Sequence, residues 1–254
     1  MRNIYLITCK IYNFFFSFYQ DFFLKKKEIE KKNDLLQKGY EIIEIENKLD
    51  EIYKIDEKIK VNSYVYKDIL SKDTIENIVN FIFKEKNIAG SITYKTGFCY
   101  SVDFIIGYET LNVPKIDLNK EWYANNWHND KPFTKNTLKL IIPLNSKNEY
   151  QSGGIEILDI YQSKLYEKSK TLPIGDEIFV MQNKLNELLI FNPNLCYHKA
   201  GNPDENSIRK QLMIQLNPTN TWKINQNLYQ KQMKIEPKFP FFNFLFDKKN
   251  ILKL

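Results

Sequence analysis

The first 24 residues carry an apolar repeat that is typical of an amphipathic helix. Within residues 3–24 the apolar side chains recur at intervals of three and four, at Ile4, Ile7, Ile11, Phe14, Phe15, Phe18 and Phe22. The segment does not read as a membrane span, because polar side chains interrupt it at Lys10, Asn13, Gln20 and Asp21. Two arrangements fit: the helix packs on the domain's own sheet, or it lies in a membrane interface with Lys25–Lys27 at the headgroups.

Two further helices and a strand are predicted before residue 90. Residues 25–38 form a charged helix that ends at Gly39, and Tyr40–Ile45 reads as a strand. Residues 71–85 have an apolar stripe at helical spacing, and Ser71 stands where an N-cap is needed. The N-terminal third of the chain is therefore expected to be mainly helical.

From residue 91 the apolar period changes to two, which indicates strands. The predicted strands are Ser91–Tyr94, Phe98–Gly107, Thr137–Leu144, Ile155–Leu158, Glu177–Met181, Glu187–Phe191 and Ile208–Leu216. Many short strands with helices gathered on the N-terminal side favour a mainly β fold, a sandwich or jelly roll flanked by helices.

We expect three parts along the chain. Residues 1–33 form an amphipathic and charged helical segment, residues 34–220 form the β domain, and residues 221–254 form an aromatic-rich extension that packs on the domain. An interface with a partner is the alternative for the extension.

Composition narrows the class of protein. The chain has 254 residues, of which 43% are hydrophobic and 27% charged, which excludes a disordered chain, a collagen-like chain and a disulfide scaffold. The net charge of +6 is mild, and no clustered basic footprint of a nucleic-acid-binding protein is present. The three cysteines are odd in number and show no CxxC spacing, which predicts reduced thiols and a cytoplasmic protein.

The chain contains only two histidines, so any histidine-dependent chemistry must use His128 or His198. His128 and Asp130 stand two apart and would point to the same side of an extended segment. Two imidazoles and one carboxylate form the facial triad of non-haem Fe(II) oxygenases, whereas the same ligands could hold Zn²⁺ in a hydrolytic site. The alternative is two histidines that are satisfied at strand ends, without a metal.

Two basic residues on predicted strands are candidates for holding an anion. In the strand Ile208–Leu216, Arg209 shares a face with Gln211, Met213 and Gln215, which suggests a lined cavity. The planar guanidinium of Arg209 suits a carboxylate. Lys139 points away from the apolar face of its own strand and is a second candidate for binding a co-substrate. The alternatives are a surface salt bridge for Arg209 and a solvated position for Lys139.

These residues resemble a known family. The segments Glu121–Asp130 and Thr137–Leu144 are similar to the phytanoyl-CoA dioxygenase-like branch of the Fe(II)/2-oxoglutarate oxygenases. The step of eleven residues from His198 to Arg209 resembles that family's distal histidine and 2-oxoglutarate-binding arginine. The resemblance covers about residues 34–217 and is specific in these motifs.

The resemblance implies a double-stranded β-helix, a cupin-like jelly roll, with the site between its two sheets. It implies that His128, Asp130 and His198 hold Fe(II), that Arg209 binds 2-oxoglutarate, and that O2 is the oxidant. 2-Oxoglutarate would be converted to succinate and CO2 while a small or carrier-linked metabolite is oxidised. Hydroxylation is expected rather than halogenation, because Asp130 supplies the carboxylate that a halogenase lacks.

Two other classes of function compete with this interpretation. One is a cupin-type Zn²⁺ or Mn²⁺ hydrolase or isomerase that makes no use of 2-oxoglutarate. The other is a non-catalytic membrane-associated protein that adheres through residues 3–24 and the aromatic tail. Gly153-Gly154 is interpreted only as a turn, and Trp122, Tyr123 and Trp127 as pocket or core residues.

Overall fold

The computed structural model describes residues 2–25, 29–30, 32–45, 49–118, 123–130, 133–144, 153–225 and 251–253. Within these ranges the helices are α1 (Arg2–Tyr19, continued by a π-helical turn Gln20–Leu24), α2 (Asp34–Gln37), α3 (Leu49–Ile52), α4 (Lys72–Val79, continued by a π-helical turn Asn80–Glu85), α5 (Ile88–Thr96) and α6 (Ile160–Ser169). Among the described residues, none of the helices is both long and apolar enough to cross a membrane.

Two mainly antiparallel sheets form the centre of the fold. The strands are β1 (Tyr40–Glu44), β2 (Ile55–Lys60), β3 (Val65–Leu70), β4 (Cys99–Leu111), β5 (Leu138–Pro143), β6 (Glu156–Leu158), β7 (Ile178–Val180), β8 (Glu187–Phe191), β9 (His198–Lys199), β10 (Ile208–Thr219), β11 (Lys223–Asn225) and β12 (Ile251–Lys253). In the described part of the chain, the larger sheet has nine strands, in the order β1-β8-β5-β10-β4-β11-β12, with β3 on β4 and β2 on β3. The smaller sheet has the order β7-β6-β9.

The larger sheet has one face for the core and one face for the site. Leu140 and Ile142 of β5 and Leu212 and Ile214 of β10 are completely buried in the main core, which also contains Ile75, Ile78 and Ile92 of the helices. Because successive side chains alternate across a strand, the residues between them point to the smaller sheet. There Ile141 and Phe191 pack with Ile155 and Ile157 in a second apolar cluster.

The mainly β jelly roll with flanking helices is confirmed as the fold. Strands β1, β4, β5, β6, β7, β8 and β10 fall where alternation predicts them, and helix α4 begins after Ser71, whose side chain accepts a bond from Thr74 N at 3.2 Å. Strands β2 and β3 and helix α6 were not among the predicted elements. Strand β2 is largely exposed, so it lacks the apolar alternation of a half-buried strand.

Two of the predicted elements are wrong. Ser91–Tyr94 lies within helix α5, whose Ile88 and Ile92 are four residues apart and both buried. A run of four residues is too short to distinguish the two-residue apolar period of a strand from the 3.6-residue period of a helix. Of the described residues within the helix predicted over 25–38, only Asp34–Gln37 are helical. Asn33 starts it by accepting from Leu36 N at 2.9 Å, and the preceding Glu30 N–H bonds to the carbonyl of Tyr94 instead.

Helix α1 lies on the body of the protein through its polar side. Ser17 and Gln20 are buried, whereas Phe14, Phe15 and Phe18 are exposed. The helix packs on the domain, and its π-helical turn contacts strand β10 of the larger sheet, but the apolar stripe is not the side that makes this contact.

The described residues after 220 extend the larger sheet. Strand β11 pairs in parallel with β4 and antiparallel with β12. Trp222 packs on Phe83 and Tyr100, with ring centroids 5.2 and 5.6 Å apart, and its indole N–H donates to Thr93 Oγ1 at 2.9 Å. Residues 226–250, which carry most of the aromatic tail, lie outside the described residues.

Candidate metal centre and its cavity

The structure brings both histidines together with the carboxylate of Asp130. One ligand atom from each of His128, Asp130 and His198 lies within 4.8 Å of the others. Asp130 Oδ1 is 3.9 Å from Nε2 of His128, and Asp130 Oδ2 is 4.0 Å from Nε2 of His198. These separations surround a point that one cation could occupy, since a metal about 2.1 Å from each atom would require only small side-chain movements.

Backbone pairing fixes the two histidines against each other. His128 N donates to His198 O at 3.0 Å, and His198 N donates to His128 O at 2.8 Å, which forms an isolated antiparallel bridge. His198 belongs to β9, which pairs with β6 in the smaller sheet. Two residues that stand 70 positions apart in the sequence thereby become direct cross-strand neighbours, with ring centroids 4.4 Å apart.

Hydrogen bonds at Nδ1 orient both imidazoles. His128 Nδ1 donates to Asn126 O at 2.7 Å, and His198 Nδ1 donates to Cys196 O at 3.0 Å. Because a carbonyl oxygen can only accept, these bonds place the proton on Nδ1 and leave the lone pair on Nε2. A metal-ligating histidine is commonly held in this way by a backbone carbonyl.

The charges around Asp130 keep it ionised. Lys139 Nζ donates to Asp130 Oδ2 at 2.5 Å and also lies over the ring of Phe133, 5.6 Å from its centroid. Burial opposes ionisation, but Lys139 and His198 outweigh it and hold the pKa of Asp130 below its usual value. Burial lowers the pKa of His198 to about 4. At neutral pH the site therefore offers a carboxylate and a neutral His198 imidazole, the states in which both side chains bind metals.

Arg209 is one of the most deeply buried side chains described, with 2% of its surface exposed. Its Nη1 donates to the carbonyl oxygens of Gly153 and Gly201, the latter at 2.7 Å, and its Nη2 donates to Thr110 Oγ1 at 3.5 Å. Burial lowers the pKa of Arg209 to about 10, so the side chain remains a cation at neutral pH. The wall of the site thus carries a fixed positive charge in a region of low dielectric, where an anion would be held strongly.

Four of the predicted site residues, His128, Lys139, His198 and Arg209, line a cavity of about 200 Å³. It lies between the two sheets, and its lining includes His128, Lys139, His198, Arg209, Gln211 and Met213. The polar face of β10 is therefore a cavity wall, as its alternation predicts. Lys139 faces the cavity and Asp130 and is not on a solvated face. Ile141, Ile155 and Phe191 contribute the apolar part of the lining.

Other parts of the site were not expected from the sequence. Gly153, interpreted as part of a turn only, supplies a carbonyl to Arg209, and Gly201 supplies the second. A Cβ on Gly201 would lie 2.2 Å from Gly154 O, so this close approach of two backbones requires glycine. Thr110 of β4 is opposite Arg209 in the register and also lines the cavity. No local motif marks these residues, because they meet only through strand pairing.

The tryptophans near the metal motif do not share one environment. Trp127 lies against Tyr166, with centroids 6.4 Å apart, and under Lys199 Nζ. It is not among the residues that line the cavity. Trp122 lies outside the described residues.

Comparisons with known proteins agree on the fold. No family model and no curated protein matches the chain. Among solved structures, the non-heme alpha ketoglutarate dependent epimerase SnoN from nogalamycin biosynthesis is 13% identical, with a TM-score of 0.53 over 72% of this chain and 79% of SnoN. An oxidoreductase of the 2OG-Fe(II) oxygenase family from Burkholderia pseudomallei is 10% identical, with a TM-score of 0.49 over 78% of this chain and 96% of that one. HygX from Streptomyces hygroscopicus, crystallised with nickel and 2-oxoglutarate, is 8% identical, with a TM-score of 0.47 over 74% and 86% of the two chains.

At 13% identity the comparison with SnoN shows a shared fold and nothing finer. Of the three structures, SnoN alone has a TM-score above one half, and it supports the jelly-roll assignment. What the site binds must be argued from its own residues.

Proposed function

We propose that this protein is an Fe(II)- and 2-oxoglutarate-dependent oxygenase that hydroxylates a small or carrier-linked metabolite. The observation that carries the proposal is that two imidazoles and one carboxylate converge beside a cavity that both histidines and a buried arginine line. The α-ketoglutarate dependence named for SnoN, which shares the fold, supports the same assignment. The motifs around His128 and Arg209 support the phytanoyl-CoA dioxygenase-like branch in particular.

The donor set fits Fe(II). Two neutral nitrogens and one carboxylate on one side of an ion leave the opposite positions open, which is the arrangement of non-haem iron oxygenases. His128 and His198 already present Nε2, because carbonyl acceptors hold their Nδ1 atoms. When bound, the iron would supply the oxygen and redox chemistry, and the protein would supply position and a dry environment.

Arg209 and Lys139 are the residues that we assign to 2-oxoglutarate. The guanidinium of Arg209 suits a carboxylate and lies in the same cavity as the metal ligands. Lys139 holds Asp130 in the described state. A divalent cation on Asp130 would take over the neutralisation of that carboxylate, and Lys139 would then be available for an anionic group of the co-substrate. The side chains of Arg209 and Lys139 would thus orient a dicarboxylate across the cavity.

The test is equilibrium binding on the metal-free protein. We expect one Fe(II) per chain under anaerobic conditions, and tighter retention of the metal when 2-oxoglutarate is present. A visible charge-transfer band should appear only when both Fe(II) and 2-oxoglutarate are bound. Exposure of this complex to air should then form succinate slowly, without added substrate. His198→Ala should abolish metal binding. Arg209→Lys should weaken 2-oxoglutarate binding and spare the metal, and Lys210→Met on the same strand is the matched control.

Two results would contradict the proposal. A tightly held Zn²⁺ or Mn²⁺ on which 2-oxoglutarate has no effect would assign the site to a cupin-type hydrolase or isomerase. Failure to retain either Fe(II) or 2-oxoglutarate would remove the basis of any metal-dependent oxygenase.

A further inference from the structure

Helix α1 presents a continuous apolar ridge to the solvent. We call this the aromatic ridge, and it consists of Ile7, Ile11, Phe14, Phe15, Phe18 and Phe22, each between 53% and 69% exposed. At 1.5 Å per residue the ridge is about 22 Å long. Soluble monomers seldom leave a contiguous apolar surface of this kind uncovered, and a patch of several hundred Å² marks an interaction site.

The side of α1 opposite the ridge is anchored by polar contacts. Gln20 is completely buried, and its Oε1 accepts from Asn136 Nδ2 at 3.2 Å. Asp21 accepts from the same amide at 3.1 Å and pairs with Lys135 Nζ at 2.6 Å. The helix is therefore held with its polar side on the protein and its apolar side outward, so that the ridge is free to meet an external surface.

The chemistry of the ridge fits a lipid bilayer. A helix that lies in the membrane interface has phenylalanines and aliphatic residues on one face and needs no hydrogen-bonding groups there. The six ridge side chains contain no polar atom. Protein interfaces also favour phenylalanine, but together with tyrosine, tryptophan, methionine and arginine, none of which is among the six ridge residues.

Positive charge follows the ridge directly. The exposed Lys25 ends the π-helical turn of α1, Lys26 and Lys27 continue the run in the sequence, and the whole chain has a net charge of +6. Lysines at the end of an interfacial helix sit at headgroup level and are attracted to anionic lipids. Apolar insertion and electrostatic attraction would act together, the combination that stable peripheral binding requires.

We propose that the aromatic ridge of α1 docks this protein onto the surface of an anionic lipid bilayer. This surface is separate from the cavity between the sheets, so the proposal does not depend on the proposed oxygenase activity. The helix lies flat on the membrane and holds the jelly roll against it through Gln20 and Asp21.

The experiment is flotation of the full chain with phosphatidylcholine vesicles that do or do not contain phosphatidylserine. We expect the wild type to float with the anionic vesicles and to be released from them by high salt. The triple variant Phe15→Ser/Phe18→Ser/Phe22→Ser should bind at least about tenfold more weakly. The matched variant Phe15→Leu/Phe18→Leu/Phe22→Leu keeps the ridge apolar and should still float.

Circular dichroism and an unchanged urea midpoint would show that the serine variant retains its fold, because the changed residues are exposed. The proposal is overturned if the wild type stays with the unbound fraction, if neutral vesicles bind it equally well, or if the serine variant floats unchanged. A wild-type dimer that the serine variant converts to a monomer, without vesicle binding by either, would assign the ridge to a second copy instead.

Discussion

Replacing Arg209 with methionine tests whether this side chain braces the walls of the cavity in addition to facing it. Methionine is unbranched and apolar but shorter than arginine, so the change removes the hydrogen bonds and the charge and leaves a small void where the guanidinium was. The carbonyl oxygens of Gly153 and Gly201 would lose their guanidinium donor. Both carbonyls belong to segments that approach each other closely, as the glycines there show.

The expected size of the effect follows from these two bonds. A buried acceptor left without a donor costs about 1–3 kcal/mol, which gives about 2–6 kcal/mol for two. Removing the guanidinium also removes the cost of burying a cation, which offsets part of that loss. We therefore expect the free energy of unfolding to fall by about 2–4 kcal/mol, a large share of the total for a domain of this size.

Urea denaturation in buffer free of metal and 2-oxoglutarate measures this change without any contribution from ligands. Lys210→Met is the matched control, because Lys210 is the next residue of β10 but lies half exposed, with Glu109 at 3.6 Å. A surface pair of that kind contributes about 0–1 kcal/mol. If Arg209→Met cost no more than Lys210→Met, the bracing role of Arg209 would be refuted.

Two further changes test other parts of the fold. Trp222→Ala should lower the free energy of unfolding by about 2 kcal/mol or more, since Trp222 packs on Phe83 and Tyr100. An unchanged urea midpoint would show that the residues after 220 do not stabilise the domain. In a Cys9→Ser background, a thiol reagent should leave Cys99 and Cys196 unmodified in the native protein and should modify both in urea. Both thiols are buried, and burial raises the pKa of the Cys196 thiol. Rapid labelling of the native protein would contradict their burial.

The sequence predicts the site better than it predicts the helices. In an extended strand the alternation of side chains is a local property, so the shared face of Arg209, Gln211 and Met213 could be derived before any pairing was known. The two-residue spacing of His128 and Asp130, which points both side chains to one side of an extended segment, is also a local property. With only two histidines in the chain, there was little choice of a third ligand.

What the sequence could not predict depends on long-range contacts. Ser91–Tyr94 has no preference strong enough to oppose the burial of Ile92 in the main core, and the result is helix α5. The acceptors of Arg209 depend on loops that β6, β9 and β10 bring together. The outward orientation of α1 depends on Asn136, more than a hundred residues away.

The pairing of the sheets explains why the metal ligands and the arginine form one site. Strand β9 joins the smaller sheet and carries His198 to one wall of the cavity, whereas β10 joins the larger sheet and carries Arg209 to the other. Gly201 lies on the connection between them, and its carbonyl accepts from Arg209 at 2.7 Å. The arginine therefore ties the segment after the strand that carries the candidate metal ligand His198 to its own strand β10. A change at Arg209 should then disturb the position of His198 as well as the charge in the cavity. The conservative Arg209→Lys variant, measured separately for metal binding and for 2-oxoglutarate binding, is therefore needed to separate recognition of the co-substrate from bracing of the cavity walls.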